Sequence, residues 1–241
     1  MHRDDEDVIG LKRAASALED RFWRRLTLRG WSPQGVVDVL EPLVHDRRRE
    51  RLQAVTDQRL ESVVVVLDAP HDPHNGAAVM RSCDAFGVQH LHVVERLERL
   101  LISRKVAQGT ERWVEVHRHR DAQSAVQAIE SGHFELVVTD PCGDLEPEDL
   151  AKLPRLALVF GNERDGVCPE LRQAARHSVR VPMRGYVESL NLSVSAGILL
   201  RAATRGRLGD LPQKARTFLY ARGLIRTVSR AADVLAASEP R

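Results

Sequence analysis

The feature that most constrains the fold of this 241-residue chain is the unbroken apolar run VVVVL at residues 63–67. A strand that is apolar on both sides of its pleat is typical of a parallel sheet whose two faces are covered by helices. The run is followed by the loop HDPHN, a helical pattern from Gly76 to Phe86 and a second apolar stretch from Leu91 to Val94. This order predicts a βαβ unit, and it places the start of a core domain at residue 61.

Alternating strand and helix patterns continue to residue 207. Further strands are predicted at Trp113–Val116, Glu135–Thr139, Leu156–Phe160 and Ser178–Val181, and helices near Asp121–Ser131, Pro169–His177 and Leu192–Arg207. The predicted fold class is therefore α/β with a mostly parallel sheet.

The segments that flank this core have helical patterns. Residues 1–60 are predicted to form an N-terminal helical extension, which begins with an amphipathic helix over roughly the first 30 residues. Residues 208–241 are predicted to form a basic C-terminal extension with one further helix and a polar tail. The core domain is then residues 61–207. With 43% hydrophobic residues, the chain can bury one full core and a modest appendage.

Positive charge is concentrated toward the C-terminus. The net charge is only +2, but residues 201–230 contain eight Lys or Arg residues and a single acid, Asp210. Such a strip favours a phosphate-bearing partner. An arginine-rich stretch before the core supports the same interpretation, although a solvated helix face balanced by Asp46, Glu50 and Asp57 is the alternative there. The side chains predicted to contact RNA phosphates are Arg51, Arg59, Arg201, Arg205, Arg216 and Arg222.

Several classes of protein are disfavoured by the sequence. No apolar run is long enough to span a membrane, and the N-terminus MHRDDEDVIG lacks the pattern of a signal peptide, so we expect a cytoplasmic protein. The three cysteines, Cys83, Cys142 and Cys168, are far apart and form no C-x-x-C pair. We therefore expect neither a disulfide framework nor a zinc site, and no metal requirement.

Ligands of parallel sheets gather at the carboxyl ends of the strands, so the loops that follow the strands are the informative ones. In the first of these loops, Asn75 occupies the place of a helix N-cap. Arg81 follows on the same helix among small alanines, where its guanidinium can lie in a cleft and bind phosphate. A surface ion pair between Arg81 and Asp84 is an equally good interpretation of these residues alone.

The second loop, FGNERDGV, follows the strand that ends at Phe160. Its two glycines have the spacing of a P-loop, but Val167 and Cys168 replace the required Lys and Ser or Thr, which excludes that motif. No G-x-G-x-x-G fingerprint occurs, which disfavours a Rossmann dinucleotide site. With these two motifs set aside, the loop is predicted to be a tight turn that contains Asn162 and Glu163.

The third stretch, VPMRGYVESLNLSVSAGILL, leads from a short strand through a loop into a helix at residues 181–200. The start of a helix leaves backbone N–H groups unpaired. Together with Ser189 and Asn191, these donors can cradle a carboxylate, a phosphate or the edge of a base. The alternative is that one of these two residues only caps the helix.

Taken together, DAPHDPHNGAAVMRS, ALVFGNERDGV and VPMRGYVESLNLSVS resemble, in this order, the three motifs of the SPOUT superfamily of RNA methyltransferases. The likeness is greatest to the TrmH-like branch, also called SpoU, and covers residues 47–207. It implies a C-terminal deep trefoil knot that binds S-adenosyl-L-methionine. It also implies a homodimer in which the partner chain completes each site.

The resemblance also assigns residues. The cofactor-binding set that it implies is Thr139, Gly161, Asn162, Glu163, Val181, Met183, Gly185 and Leu190. The implied catalytic set is Asn75, Arg81, Glu163, Ser189 and Asn191. Because a guanidinium hardly ever loses its proton in a protein, we expect Arg81 to position charge on the nucleotide phosphate before acting as a base.

The activity implied is 2′-O-methylation of a ribose in tRNA, at the D-loop guanosine 18. Basic arms on both sides of the core are similar to those of the tRNA-methylating branch. Ribosomal RNA methylators of the superfamily usually carry an additional N-terminal α/β domain, and residues 1–60 show no strand pattern. Two alternatives stay open: a 2′-O-methyltransferase of ribosomal RNA, and a non-catalytic RNA-binding member of the family.

Overall fold

In the computed structural model, which describes residues 23–96 and 109–240, the chain divides into two units. One unit is residues 59–210, and the other combines residues 1–58 with residues 211–241. The two extensions that the sequence places at opposite ends of the chain therefore belong to one unit. Most of the amphipathic helix predicted over the first 30 residues lies outside the described part of the chain, and residues 23–28 are helical.

Residues 59–210 contain a six-stranded sheet in which all neighbouring strands are parallel. The strands are β1 Leu60–Asp68, β2 Val88–Val94, β3 Glu115–His119, β4 Glu135–Thr139, β5 Leu156–Phe160 and β6 His177–Val179. Their order across the sheet is β3-β2-β1-β5-β4-β6. The predicted α/β class with a parallel sheet is confirmed.

Helices make up most of the remaining described structure. They are α1 Pro33–Leu40, α2 Asp46–Asp57, α3 Pro73–Ala85, α4 Ala122–Ser131, α5 Pro169–Ala174, α6 Leu192–Ala203, α7 Gln213–Thr227 and α8 Ala231–Ala236. Short 3₁₀ helices occupy Glu41–Leu43, Thr110–Arg112 and Pro147–Lys152. No helix among the described residues is both long enough and apolar enough to cross a membrane.

The core has two layers because side chains alternate across β1. Val65 and its alternate neighbours pack with α3 and α6, whereas Val64 and Val66 pack with α4 and α5. Every residue of β1 from Ser62 onward is buried. The apolar run thus fills both layers, as its lack of polar alternation predicts.

Several element boundaries differ from the predicted ones. Helix α3 starts at Pro73 because the side chain of Asp72 caps the N–H of His74, so Asn75 lies in the first turn and is not the N-cap. Strand β3 starts at Glu115 because a 3₁₀ helix ends just before it. The C-terminal segment contains two helices instead of one, since Arg230 adopts a left-handed conformation (φ +56°) between them.

The second unit is a small helical cluster. Val36 and Leu40 of α1 pack against Ala221 and Leu224 of α7, with Leu235 of α8 beside them. The hydroxyl group of Tyr220 donates a 2.7 Å hydrogen bond to Glu41. The N- and C-terminal extensions are thus held together by their own apolar core.

Candidate active site

A chain of hydrogen bonds joins the three loops that the sequence analysis singled out. The side-chain amide of Asn75 donates to Oε1 of Glu163 at 2.8 Å, and its carbonyl oxygen accepts from the amide of Asn191 at 3.0 Å. The backbone N–H of His71 donates to Oε2 of Glu163 at 3.1 Å. Residues far apart in sequence therefore meet beyond the carboxyl ends of β1 and β5, which are neighbours in the sheet.

Asn75 is held in one orientation by these contacts. It is 9% exposed, and the donor and acceptor ends of its side chain face two different partners. Reversing the amide would place like groups against Glu163 and Asn191. Asn75 is therefore the central member of the network.

Asn191 has two functions. Its Oδ1 atom caps α6 by accepting the N–H of Ser193 at 2.8 Å and the hydroxyl of Ser193 at 2.6 Å. Its Nδ2 atom is left to bond Asn75. Asn191 thus caps α6 with one atom of its side chain and contacts Asn75 with another.

The loop after β5 is tied to the end of β1 by Asn162. This side chain is 7% exposed; it donates to the carbonyl of Ala69 at 2.8 Å and accepts the N–H of Arg164 at 2.7 Å. Asn162 and Gly166 also exchange two backbone hydrogen bonds across the turn. A Cβ atom at Gly161 would overlap the backbone of Gly166, so only glycine fits there. These contacts fix the position of Glu163.

Asp68 anchors the other end of that loop, and the sequence analysis missed it. It is fully buried at the end of β1, where it accepts the N–H of Cys168 at 2.7 Å and pairs with Nε of Arg96 at 2.8 Å. The sequence does contain a signal for Asp68, because this acid directly follows the apolar run at residues 63–67. A buried acid requires hydrogen-bond or ion-pair partners. Burial raises the pKa of the Cys168 thiol to about 11, which keeps that thiol neutral.

Glu163 is ionised at neutral pH. Partial burial raises its pKa, while hydrogen bonds from Asn75 and from backbone N–H groups lower it, and the net shift is downward. Each carboxylate oxygen already accepts a hydrogen bond. Glu163 is therefore suited to orienting Asn75.

A cleft of about 620 Å³ lies beside the loops that follow β4 and β6. Of the predicted cofactor residues, Val181, Met183 and Gly185 line it. Thr139 ends β4 just before the lining begins, whereas Gly161, Asn162, Glu163 and Leu190 are outside the lining. The volume is in the range of about 300–1,000 Å³ that is usual for small-molecule sites.

The segment that follows β4 crosses over β6. Val179 pairs with Thr139 on one side and with Leu145 on the other. At the crossing point a Cβ atom on Gly143 would lie 2.6 Å from the carbonyl carbon of Val179. The carboxylate of Asp144 accepts the N–H and the hydroxyl of Ser178, both at 2.7 Å, and these bonds hold the pKa of Asp144 below its usual range. One continuous stretch of chain thus borders β6 on both edges.

Arg81 and Ser189 are exposed. Arg81 lies on α3, six residues after Asn75, and Ser189 lies in the loop before α6. The carboxylate of Asp84, one turn after Arg81, is paired with Arg59.

The prediction that Arg59 contacts RNA is wrong. The side chain is 2% exposed and forms an ion pair with Asp84, which is also partly buried. The sequence shows Arg59 at the end of an arginine-rich stretch, but the fold turns it into the protein at the start of β1. Its function is structural.

The other predicted RNA-contacting arginines differ in exposure. Arg51, Arg201 and Arg205 are exposed. Arg216 is half-buried: its Nη1 atom is 3.7 Å from Asp57, and its Nη2 atom donates to Gln213 at 2.7 Å. Arg222 is also half-buried. The exposed members are the ones available for phosphate contacts.

Comparison with known proteins finds similar sequences among RNA methyltransferases. Residues 62–201 match the SpoU rRNA Methylase family. The tRNA (guanosine(18)-2′-O)-methyltransferase of Thermus thermophilus is 32% identical over 166 residues, which cover 68% of this chain and 84% of that protein.

Solved structures of related methyltransferases also resemble this chain. The A. aeolicus TrmH/SpoU tRNA modifying enzyme superimposes with a TM-score of 0.67 at 27% identity and covers 77% of this chain and 98% of that one. An AdoMet-bound rRNA methyltransferase from Sinorhizobium meliloti superimposes with a TM-score of 0.56 at 25% identity, over 65% and 60% of the two chains.

Proposed function

The chain belongs to the SpoU methylase family, and on that premise we propose that it is an S-adenosylmethionine-dependent tRNA methyltransferase that modifies the ribose 2′-oxygen of guanosine 18. The observation that carries this proposal is the network in which Asn75 joins Glu163 to Asn191. It brings together all three sequence motifs at the carboxyl edge of the sheet, where ligands of such folds bind.

The volume of the cleft fits a cofactor of this size. We propose that Val181, Met183 and Gly185 hold S-adenosylmethionine there, with Thr139 at the edge. The chain between residues 180 and 191 runs outside the sheet, so its backbone groups are available as hydrogen-bond partners. When bound, the cofactor supplies an activated methyl group.

The residues of the network would position the nucleotide. Glu163 fixes the amide of Asn75, and Asn75 in turn fixes Asn191, so that these groups are preorganised before the RNA arrives. Arg81 is exposed on the same helix as Asn75, and we propose that it binds the phosphate of the target nucleotide. Ser189, in the exposed loop before α6, would donate a hydrogen bond to the ribose. The 2′-oxygen would gain the methyl group and release its proton to water, and the protein's contribution would be mainly orientation and charge.

We also propose that the C-terminal part of the domain is knotted. The support is local: residues 137–146 flank β6 on both sides and cross it at Gly143. Knots are almost absent from other folds.

A homodimer is part of the proposal. Val194 and Ile198 lie one turn apart on α6 and are both exposed, and Tyr186 and Val187 are exposed in the preceding loop. Apolar side chains grouped in this way are typical of an interface. We expect sedimentation to show a dimer and Ile198→Glu to shift it toward the monomer; a stable monomer of the unsubstituted protein at micromolar concentration would contradict this part.

The choice of tRNA over ribosomal RNA is supported by the N-terminal segment. Within the described part of residues 1–58 all regular structure is helical, which differs from the additional N-terminal α/β domain that the family resemblance implies for ribosomal RNA methylators. A tRNA substrate would place the protein in the cytoplasm.

The test is to incubate total RNA with the protein and labelled S-adenosylmethionine and to map 2′-O-methylation. We expect label in tRNA at guanosine 18. Label confined to ribosomal RNA would overturn the substrate, and cofactor binding without label in any RNA would favour a non-catalytic RNA-binding protein.

A further inference from the structure

Four histidines form a ladder on one face of the sheet edge, outside the proposed methyl-transfer site. They occupy alternate positions of two neighbouring strands, His90 and His92 on β2 and His117 and His119 on β3. The register pairs His92 directly with His117. His92 stacks on His117 at 4.7 Å and on His119 at 5.1 Å between ring centroids.

Three side chains at one end of this ladder have the donor atoms and spacing of a metal site. Nδ1 of His90 is 3.0 Å from Nε2 of His117 and 3.6 Å from Oε2 of Glu115. All three ligand atoms lie within 4.8 Å of one another, and among the described residues no other group of His, Cys, Asp or Glu does so. Two nitrogens bound to one tetrahedral Zn²⁺ are about 3.4 Å apart. Small side-chain movements would therefore bring the three donors onto one ion.

A fourth residue, Glu61, orients the ring of His90 for metal binding. Nε2 of His90 is 3.0 Å from Oε2 of Glu61. Because the carboxylate can only accept, this contact places the ring proton on Nε2 and leaves the lone pair of Nδ1 directed at His117 and Glu115. A carboxylate behind a histidine ligand is the usual second layer of a metal site.

We propose that His90, Glu115 and His117 bind a divalent transition metal ion of the Zn²⁺ type. Imidazole nitrogens with one carboxylate suit Zn²⁺ better than Mg²⁺ or Ca²⁺. Glu115 begins β3, and His90 and His117 are the third residues of their strands, whereas the proposed methyl-transfer site lies beyond the carboxyl ends of the strands. The ion would pin the edge strand β3 to β2 and take no part in methyl transfer.

The spacing of the three cysteines predicts no metal site. The relevant signal is the pair of H-x-H patterns at residues 90–92 and 117–119. Its meaning depends on the register of two strands, which the sequence does not show.

The test uses the untagged full-length chain, stripped of metal with a chelator. Calorimetry with Zn²⁺, and absorption with Co²⁺ as a spectroscopic substitute, should show one ion per chain with a micromolar or smaller dissociation constant. Mg²⁺ should show no saturable binding. Anomalous diffraction from a Zn²⁺-soaked crystal should place the ion between His90 and His117. Absence of saturable Zn²⁺ binding by the folded chain would overturn the proposal.

Variants identify the ligands. His117→Gln should abolish binding, whereas His119→Gln, a matched change in the same ladder, should retain it. Glu61→Gln removes the charge behind His90 and should weaken binding about 10- to 100-fold. Loss of binding in His119→Gln with retention in His117→Gln would show that the assignment is wrong. Circular dichroism establishes that each variant is folded, and the Co²⁺ spectrum reports ligation independently of methylation.

Discussion

Asn75 and Asn191, which are 116 residues apart in the chain, are joined by a 3.0 Å hydrogen bond. Through the other end of its side chain, Asn75 also reaches Glu163. The start of α3, the loop after β5 and the start of α6 are therefore held in one arrangement by a single amide. The position of a bound nucleotide would depend on that arrangement.

The first prediction concerns Asn75. Asn75→Asp places a second carboxylate against Glu163 and removes the donor between them, so we expect single-turnover methylation to fall by about a hundredfold or more. S-adenosylmethionine binding, measured by calorimetry, should change little. The matched control is His74→Ala, which alters the exposed neighbour on the same turn. An unchanged rate for Asn75→Asp would show that Asn75 has no role in methyl transfer.

The second prediction concerns Arg81. Arg81→Ala should reduce the single-turnover rate at saturating tRNA and cofactor much more than it weakens binding of either substrate. Arg81→Lys keeps the charge but loses the planar fork of donors, and we expect little rescue. If Arg81→Ala keeps nearly the full rate, Arg81 is only a surface residue.

The third prediction concerns the crossing at Gly143. In Gly143→Ala the new methyl group would lie 2.6 Å from the backbone of Val179, so we expect a loss of about 1–3 kcal/mol in the free energy of unfolding. Gly197→Ala is the control, because nothing lies within 4 Å of its Cβ position, and alanine stabilises a helix by up to about 1 kcal/mol. Denaturant unfolding measures both, and equal stability of the two variants would show that the crossing is not tight.

The fourth prediction separates two kinds of arginine. Changing Arg201 and Arg205 together to Ala should weaken tRNA binding and reduce the slope of log K against log salt by about 1–2. Arg59→Met should lower the melting temperature and leave that slope unchanged, because Arg59 is buried in its ion pair with Asp84. Filter binding at several salt concentrations measures the slopes. An unchanged slope in the first variant would exclude these two arginines from the RNA interface.

These cases show how far the sequence could predict the fold and where it could not. The residues of β1 are enough to predict a strand that is covered on both faces, because the strand contains an unbroken apolar run. The neighbours of β1 in the sheet, β2 and β5, are set by long-range packing that no local pattern encodes.

The same limit applies to single side chains of the site. Asn75 belongs to the catalytic set that the family resemblance implies, but its predicted place as the cap of α3 is wrong, because Asp72 and Asn75 are both good capping residues and only the fold selects Asp72. Arg59 is indistinguishable in sequence from Arg51, and its ion-pair partner is an acid 25 residues later in the chain. The contact between Asn75 and Asn191 depends on how α3 and α6 pack.

The most direct test of the proposed activity uses two tRNA transcripts that differ by one atom, one with guanosine at position 18 and one with 2′-deoxyguanosine there. Each is incubated with the protein and labelled S-adenosylmethionine under single-turnover conditions. We predict stoichiometric methylation of the first transcript and none of the second. Equal labelling of both transcripts would place the methyl group elsewhere and contradict 2′-O-methylation of guanosine 18.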